Sequence, residues 1–531
     1  MASHKEQDRL VIQVEKPGEK FLFHCGEQFL WESLPVGTRI IYPPSPFPPI
    51  ENLDEVIQKA LDNPLEADPL SAQLRRGMKL TIALDDLSLP LPPMPTQQDP
   101  RKLIIEKVLE KCAENGVTDI HLIAAIGLHR RMTPREIRKR VGKRIFSEFF
   151  PNRLSNHDAE DPDGNVMLGT TDHGEEVWLN RQAAESDLLI YVNISLTSMN
   201  GGHKSINVGL TTYRSLRHHH NVHTLMNCKS YMDPDNSALH KVLERMGRVV
   251  ADHVKSFHIE TTLNTDTFPH IYSFLRKPEL SWTAWDAANF QLMRKSLQAI
   301  PFSLRRRIWQ SQRSPYGITS IQAGQVDAVH KRTLEQLFRQ QAVPIKGQSD
   351  IVIAGVPYLS PYNINSIMNP ILTRILSLGY CFNLYRGQPL LRKGGVLIFT
   401  HPLYKRFHLE HHPSYRDFYE KVLADTRDPI QIEQKYEEKF ATDERYRQMF
   451  RQGYAYHGVH PFYMWYWGIY GARWAGKVIF VPGDPDVAKR LGFEVAPTVA
   501  EAIERAKNFV GPSSHISYFR WPPIFVCDVE C

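Results

Sequence analysis

Three apolar runs constrain the first half of this chain more than any other feature. Lys79–Leu84, Asp119–Ile126 and Asp187–Val192 are too short for helices and read as buried strands. Helical periods lie between them. Arg101–Asn115 has apolar residues at 104, 105, 108, 109 and 112, and Gly116 stops it. Thr133-Pro134-Arg135-Glu136 opens another helix, with a capping box and a proline at the first helical position. This alternation predicts an α/β fold, in which ligands sit beyond the carboxyl ends of the strands. Those ends carry Asp85-Asp86, then Gly127-Leu128-His129, then Asn200-Gly201-Gly202-His203-Lys204.

At 531 residues the chain is too long for one core, so more than one domain is expected. Leu53–Leu61 reads as a short helix, 238–257 as a long amphipathic one, His258–Leu263 as a strand and Gln325–Gln341 as a helix. A second α/β unit begins at Asp350–Gly355, with further strands at Gly395–Thr400 and Lys477–Val481. An aromatic patch, Phe462–Trp467, precedes the last of these, and Arg305-Arg306-Arg307 reads as a solvated helix face. The polar stretch 342–349 is the expected hinge. The expectation is two Rossmann-like α/β domains, 1–345 and 346–531, with the active site in the cleft between them.

A net charge of +6, with Lys and Arg scattered among acids, offers no basic stripe for nucleic acid. Six cysteines without short paired spacings argue against a disulfide framework. No apolar run reaches membrane-spanning length, and the polar N-terminus lacks a signal peptide's apolar segment. A cytoplasmic setting with no membrane partner is expected.

Several standard sites are missing. The sequence has no phosphate-loop motif, no Gly-x-Ser-x-Gly elbow, no His-Glu-x-x-His and no Gly-x-Gly-x-x-Gly. What remains is the glycine turn with its lysine, followed by His218-His219-His220 and His223. The two glycines let the backbone turn tightly or approach a ligand. Locally, the histidines read either as a metal or cofactor site or as a solvated face. His129 reads either as a catalytic group or as a packed, helix-capping residue.

The order of these motifs resembles the nickel-pincer-nucleotide-dependent lactate racemases. Ala60-Leu61-Asp62-Asn63-Pro64-Leu65, the loop from Asp86 to Pro92, and Gly127–Glu136 are each similar to a motif of that family. So are Asn156-His157-Asp158 and Gly201-Gly202-His203-Lys204, the last with one change. The family's metal histidine, sixteen residues after the lysine, coincides with His220. In the second half, Gly324–His330 and Val478–Ala506 follow the family pattern.

The resemblance implies an isomerase, a racemase or epimerase of hydroxy compounds that works by hydride transfer. Its cofactor would be a nickel-pincer nucleotide, Ni(II) held on a pyridinium dithio-nucleotide attached covalently to Lys204. His220 would be the metal ligand, Gly201 and Gly202 cofactor-binding residues, and His129 the catalytic base, with Asp86 in the catalytic group. Soft sulfur and imidazole ligands suit Ni(II). The implied partners are a small hydroxy substrate and the enzymes that make the cofactor.

Three departures stand against a lactate racemase proper. The family's second catalytic histidine falls on Ile194. Its carboxylate-binding arginine falls on Leu89 and its lysine on Ile371. The reading is therefore a racemase or epimerase of a compound other than lactate. A redox enzyme using one face of the same cofactor and a non-catalytic cofactor-binding homologue are the alternatives. Candidates for the second base are His203, His218, His219, His223 and Tyr362.

Overall fold

The computed structural model describes residues 10–530. Six strands form one sheet in the order Ile318–Gly324, Ser256–Leu263, Leu188–Ser195, Lys79–Asp85, Asp119–Ala125, Leu154–Asn156. The central members run parallel, and only Ile318–Gly324 is antiparallel to its neighbour. Leu188–Ser195 is buried along its whole length, as a strand covered on both faces must be. Helix Pro100–Glu114, capped by Asp99, packs beside it, and the capping box of Thr133 and Glu136 forms as the sequence predicts. The chain is a mixed α/β protein.

A nine-stranded sheet is built chiefly from the second half, around the parallel strands Ile516–Phe519, Ser349–Pro357, Leu391–Thr400 and Lys477–Val481. Its other contributors correct the expected boundary. Val11–Gln13 and Arg39–Ile41 extend it beside Ile516–Phe519, and the hairpin Lys20–Gly26 with Gln28–Ser33 joins the end of Ser349–Pro357. Residues 11–41 thus pair with the sheet of the second half, although they fall within the expected 1–345 unit. The expected hinge also differs, because Ala342–Lys346 is a strand paired parallel to Val526–Glu530. Alternating Val343 and Ile345, both buried, explain why this stretch is not a linker.

One continuous buried cluster runs from Leu84 and Ile190 of the first sheet to Ile371 and Trp465 of the second half. An excursion between Leu263 and Ile318 carries helices Ala284–Ala299 and Phe302–Ser311. It packs on the N-terminal hairpin, with Trp282 stacked on Trp31 at 5.8 Å. Arg305 is not the solvated residue its sequence suggests, since it pairs with buried Glu27 at 3.2 Å and bonds the Ile300 carbonyl. Among the described residues, no helix is long and apolar enough to cross a membrane.

Glu279 ties the excursion to the nine-stranded sheet. Its buried carboxylate accepts from Tyr42 Oη at 2.6 Å, from the Leu22 amide at 3.1 Å and from Arg520 Nε at 3.1 Å. Glu279→Ala leaves Arg520 buried without its counter-charge, which costs about 3–5 kcal/mol. Urea unfolding should show that loss. A change below about 1 kcal/mol would mean that the pair does not hold the excursion in place.

Candidate functional site

The three adjacent parallel strands Lys79–Asp85, Asp119–Ala125 and Leu188–Ser195 end side by side, so the loops that follow them converge. A cavity of about 170 Å³ opens there, lined by Asp85, Asp86, His129, Gly201, Lys204 and His220. Its opposite wall comes from the second half, through Tyr362, Tyr380, His460, Tyr463, Met464 and Trp467. Each predicted site residue except Gly202 lines this cavity.

Arg101 fixes the first loop. Fully buried, it holds Asp99 through Nε at 2.8 Å and Nη2 at 2.7 Å. Its Nη1 donates to the carbonyls of Asp85 at 2.9 Å and Asp86 at 2.5 Å. The two carboxylates then diverge in environment. Burial pushes the Asp85 carboxyl up to about 7, against the Ile194 amide and Arg101, which favour the carboxylate. Burial also acts to raise Asp86, but the charge and hydrogen bond of His129, with bonds from Ser88, hold it below the usual carboxylate range. Asp86 Oδ2 lies 2.8 Å from His129 Nδ1, which leaves His129 Nε2 for a ligand. Asn156 bonds both the amide and the carbonyl of Met132, steadying the loop that carries His129.

The glycine turn is set from behind. Gly202 donates its amide to Glu260 Oε1 at 2.6 Å, and Glu260 Oε2 meets His330 Nδ1 at 3.1 Å. Gly201 and Gly202 have φ of 91° and 60°. A Cβ at Gly201 would lie 2.6 Å from Glu260, and one at Gly202 2.7 Å from His330. Both the backbone conformation and the space therefore require glycine. Lys204 follows on the cavity wall. Burial lowers its ammonium to about 8, opposed by the charge of Asp85.

His220 closes the short helix Tyr213–His219, with its ring 5.2 Å from Tyr463 and 5.4 Å from Trp467. Burial holds it well below the ordinary histidine range, so it is neutral at physiological pH. Its Nδ1 lies 2.6 Å from His219 Nδ1. The Asn207 carbonyl sits by the His219 ring, although no partner completes a hydrogen bond to His219 Nε2. A proton on His219 Nε2 makes His219 Nδ1 the acceptor, and His220 then keeps a free lone pair on Nε2.

The candidates for a second base separate. His203 pairs with Asp327 at 2.9 Å, and His223 is exposed. His218 and His219 do not line the cavity, whereas Tyr362 does. Ile194 and Ile371 pack into the main core, and Leu89 lies on the cavity wall. Sequence reasoning missed His460. It stands at the head of helix His460–Tyr466, its ring 5.2 Å from that of His129, and its Nδ1 meets the Tyr415 hydroxyl at 2.6 Å. The only sequence signal is its place just before the aromatic patch.

Residues 33–233 match the lactate racemase N-terminal domain family. Over this segment the chain is similar to the lactate racemases. It is 27% identical over 172 residues to the lactate racemase of Lactiplantibacillus plantarum, a segment covering 31% of this chain and 38% of that relative. It is 22% identical over 171 residues to the lactate racemase of Thermoanaerobacterium thermosaccharolyticum, covering 32% of this chain and 38% of the relative. The matched segment thus spans under half the length of either curated lactate racemase. The fold is similar to that of the Thermoanaerobacterium lactate racemase apoprotein, with a TM-score of 0.60 at 16% identity over 96% of this chain and 99% of the other. A Thermotoga maritima protein shares the fold with a TM-score of 0.52 at 14% identity, over 91% of this chain and 100% of the other.

The lowered Lys204 gives a direct test. Below pH 8 its ammonium is inert, and above it the free amine is nucleophilic, well before ordinary lysines deprotonate near 10.4. Peptide mapping after brief treatment with an acylating reagent should show Lys204 modified with a midpoint near pH 8. A midpoint above 10 would contradict the geometry.

Proposed function

We propose that this chain is a nickel-pincer-nucleotide-dependent racemase or epimerase of a hydroxy compound other than lactate. The observation that carries the reading is the convergence of Lys204, His220 and the Asp86–His129 pair on one cavity. The donor set fits the cofactor. Lys204 offers an amine of lowered basicity for covalent attachment, and His220 offers a neutral imidazole for nickel. Among the described residues, the cluster of side chains with metal-ligand spacing is His408, Glu410 and His411, none of which lines this cavity. One imidazole is what a nickel ion already held by cofactor sulfurs requires of the protein.

The chemistry supplied by the bound group is reversible acceptance of a hydride. The chain's own residues handle protons and position. His129 takes the substrate's hydroxyl proton at Nε2, while Asp86 fixes Nδ1 and stabilises the resulting imidazolium. His460, its Nδ1 bound to Tyr415, supplies a second imidazole and takes the role left open at Ile194. Aromatic rings from the second half exclude water around both. On this reading the site lies between the six-stranded and the nine-stranded sheet, the second of which takes in strands from residues 11–41.

The substrate differs from lactate because the wall has lost its cations. Leu89 is apolar and Ile371 is in the core. Each missing charge-assisted contact costs about 1.5–3 kcal/mol, so lactate should react at least ~10²-fold more slowly than a substrate with other anchors. Chiral chromatography of cofactor-loaded protein with larger hydroxy acids should show interconversion of enantiomers. Consumption of one enantiomer without its mirror image would make the protein a redox enzyme instead. His129→Gln and His460→Gln should each slow interconversion by about 10²–10⁴. An unchanged rate in His460→Gln would remove His460 from the chemistry, and rapid racemisation of lactate would overturn the substrate assignment.

A further inference from the structure

A second cavity, of about 470 Å³, adjoins the first and shares Leu91, Trp521 and Ile524 with it. Its size is that of a ligand pocket. The excursion between Leu263 and Ile318, outside residues 33–233, supplies most of its wall, including Phe268, Leu275, Met293, Leu297 and Trp309. No Asp, Glu, Lys or Arg lines it among the described residues, and burial keeps its one histidine, His24, neutral. The cavity is therefore uncharged throughout. It also opens to solvent through apolar residues, since Ile271, Leu292 and Ile308 line it while remaining 69%, 67% and 37% exposed. Large side chains held apolar and exposed around a cavity mouth mark a place where an apolar molecule enters.

Resting on the racemase or epimerase reading of the first cavity, we propose that the substrate is a hydroxy acyl compound with a long hydrocarbon tail. Its hydroxyl-bearing carbon lies by His129, and its tail passes Leu91 into the second cavity. The shared lining residues set the two cavities side by side, which suits the apolar one to the tail of a molecule whose head is processed next door. Burial of the tail supplies the binding that Leu89 and Ile371 no longer give to a carboxylate. A short hydroxy acid would leave the larger cavity unfilled.

Binding can be read on the full chain as purified, without any turnover. Calorimetric titration with 2-hydroxy acids from hexanoate to dodecanoate, each below its micelle concentration, should show Kd falling about fourfold per added methylene. The matching 2-hydroxy amides should show the same slope, because the tail and not the head sets affinity. Ser296→Trp narrows the cavity from an exposed position, and Leu292→Lys puts a charge at the mouth; neither touches the first cavity. Both variants should flatten the slope and keep the parent's melting temperature. Equal affinity across the series, or a slope untouched by both variants, would overturn the proposal. Adsorption to phosphatidylcholine vesicles with no chain-length dependence would assign the mouth to a membrane surface and overturn it too. These results are separable from the underlying reading. A clear slope with no interconversion by loaded protein defeats the racemase assignment alone, and interconversion without a slope defeats the tail site alone.

Discussion

A guanidinium with no access to water holds the site together. Burying a charge this deeply is costly unless every donor finds a partner. Arg101 meets that cost with the Asp99 carboxylate and two backbone carbonyls of the Asp85–Asp86 loop. Both aspartates are thereby fixed at the end of their strand, and each governs a different partner. Asp86 orients the His129 ring, while Asp85 tempers the loss of charge at Lys204. The Glu260–His330 pair does the corresponding work behind the glycine turn. The cavity is thus shaped by buried ionic contacts outside it, which leaves its own nitrogens free for a ligand.

On the proposed reading, the apolar Leu89 and the adjoining uncharged cavity belong together. A small hydroxy acid is held mainly by its carboxylate, so a wall carrying Leu89 in a cation's place binds it poorly. The same loop carries Leu91, which faces the larger uncharged cavity as well. The aromatic helix His460–Tyr466 covers the other side, and it brings in an imidazole where the strand at Ile194 offers none. On the proposed reading, cofactor-holding and substrate-holding residues sit on different elements, and the second set can change while the first stays.

Much of the first half was legible in the sequence, because its strands are short apolar runs and its helices carry their own caps. Lys79–Asp85, Pro100–Glu114 and the Thr133–Glu136 box lie where periodicity places them. Long-range pairing was not legible. Nothing local tells that residues 11–41 pair with strands some 300 residues or more away, or that 342–346 pairs with Val526–Glu530. The same limit hid His460, whose proposed role depends on a tertiary meeting with His129. It also hid the pairing of Arg305 with Glu27, where the sequence shows only three consecutive arginines.

The central claim is that Lys204 and His220 hold a nickel-bearing nucleotide while the rest of the cavity serves a different substrate. The most direct measurement is peptide-level mass spectrometry with nickel quantitation on protein co-produced with cofactor-making enzymes. The account predicts an adduct on the peptide containing Lys204 and one nickel per chain. Lys204→Arg should lose both, and His220→Ala should keep the adduct but lose the metal. Unmodified Lys204 in nickel-free protein, or full loading of Lys204→Arg, would contradict it.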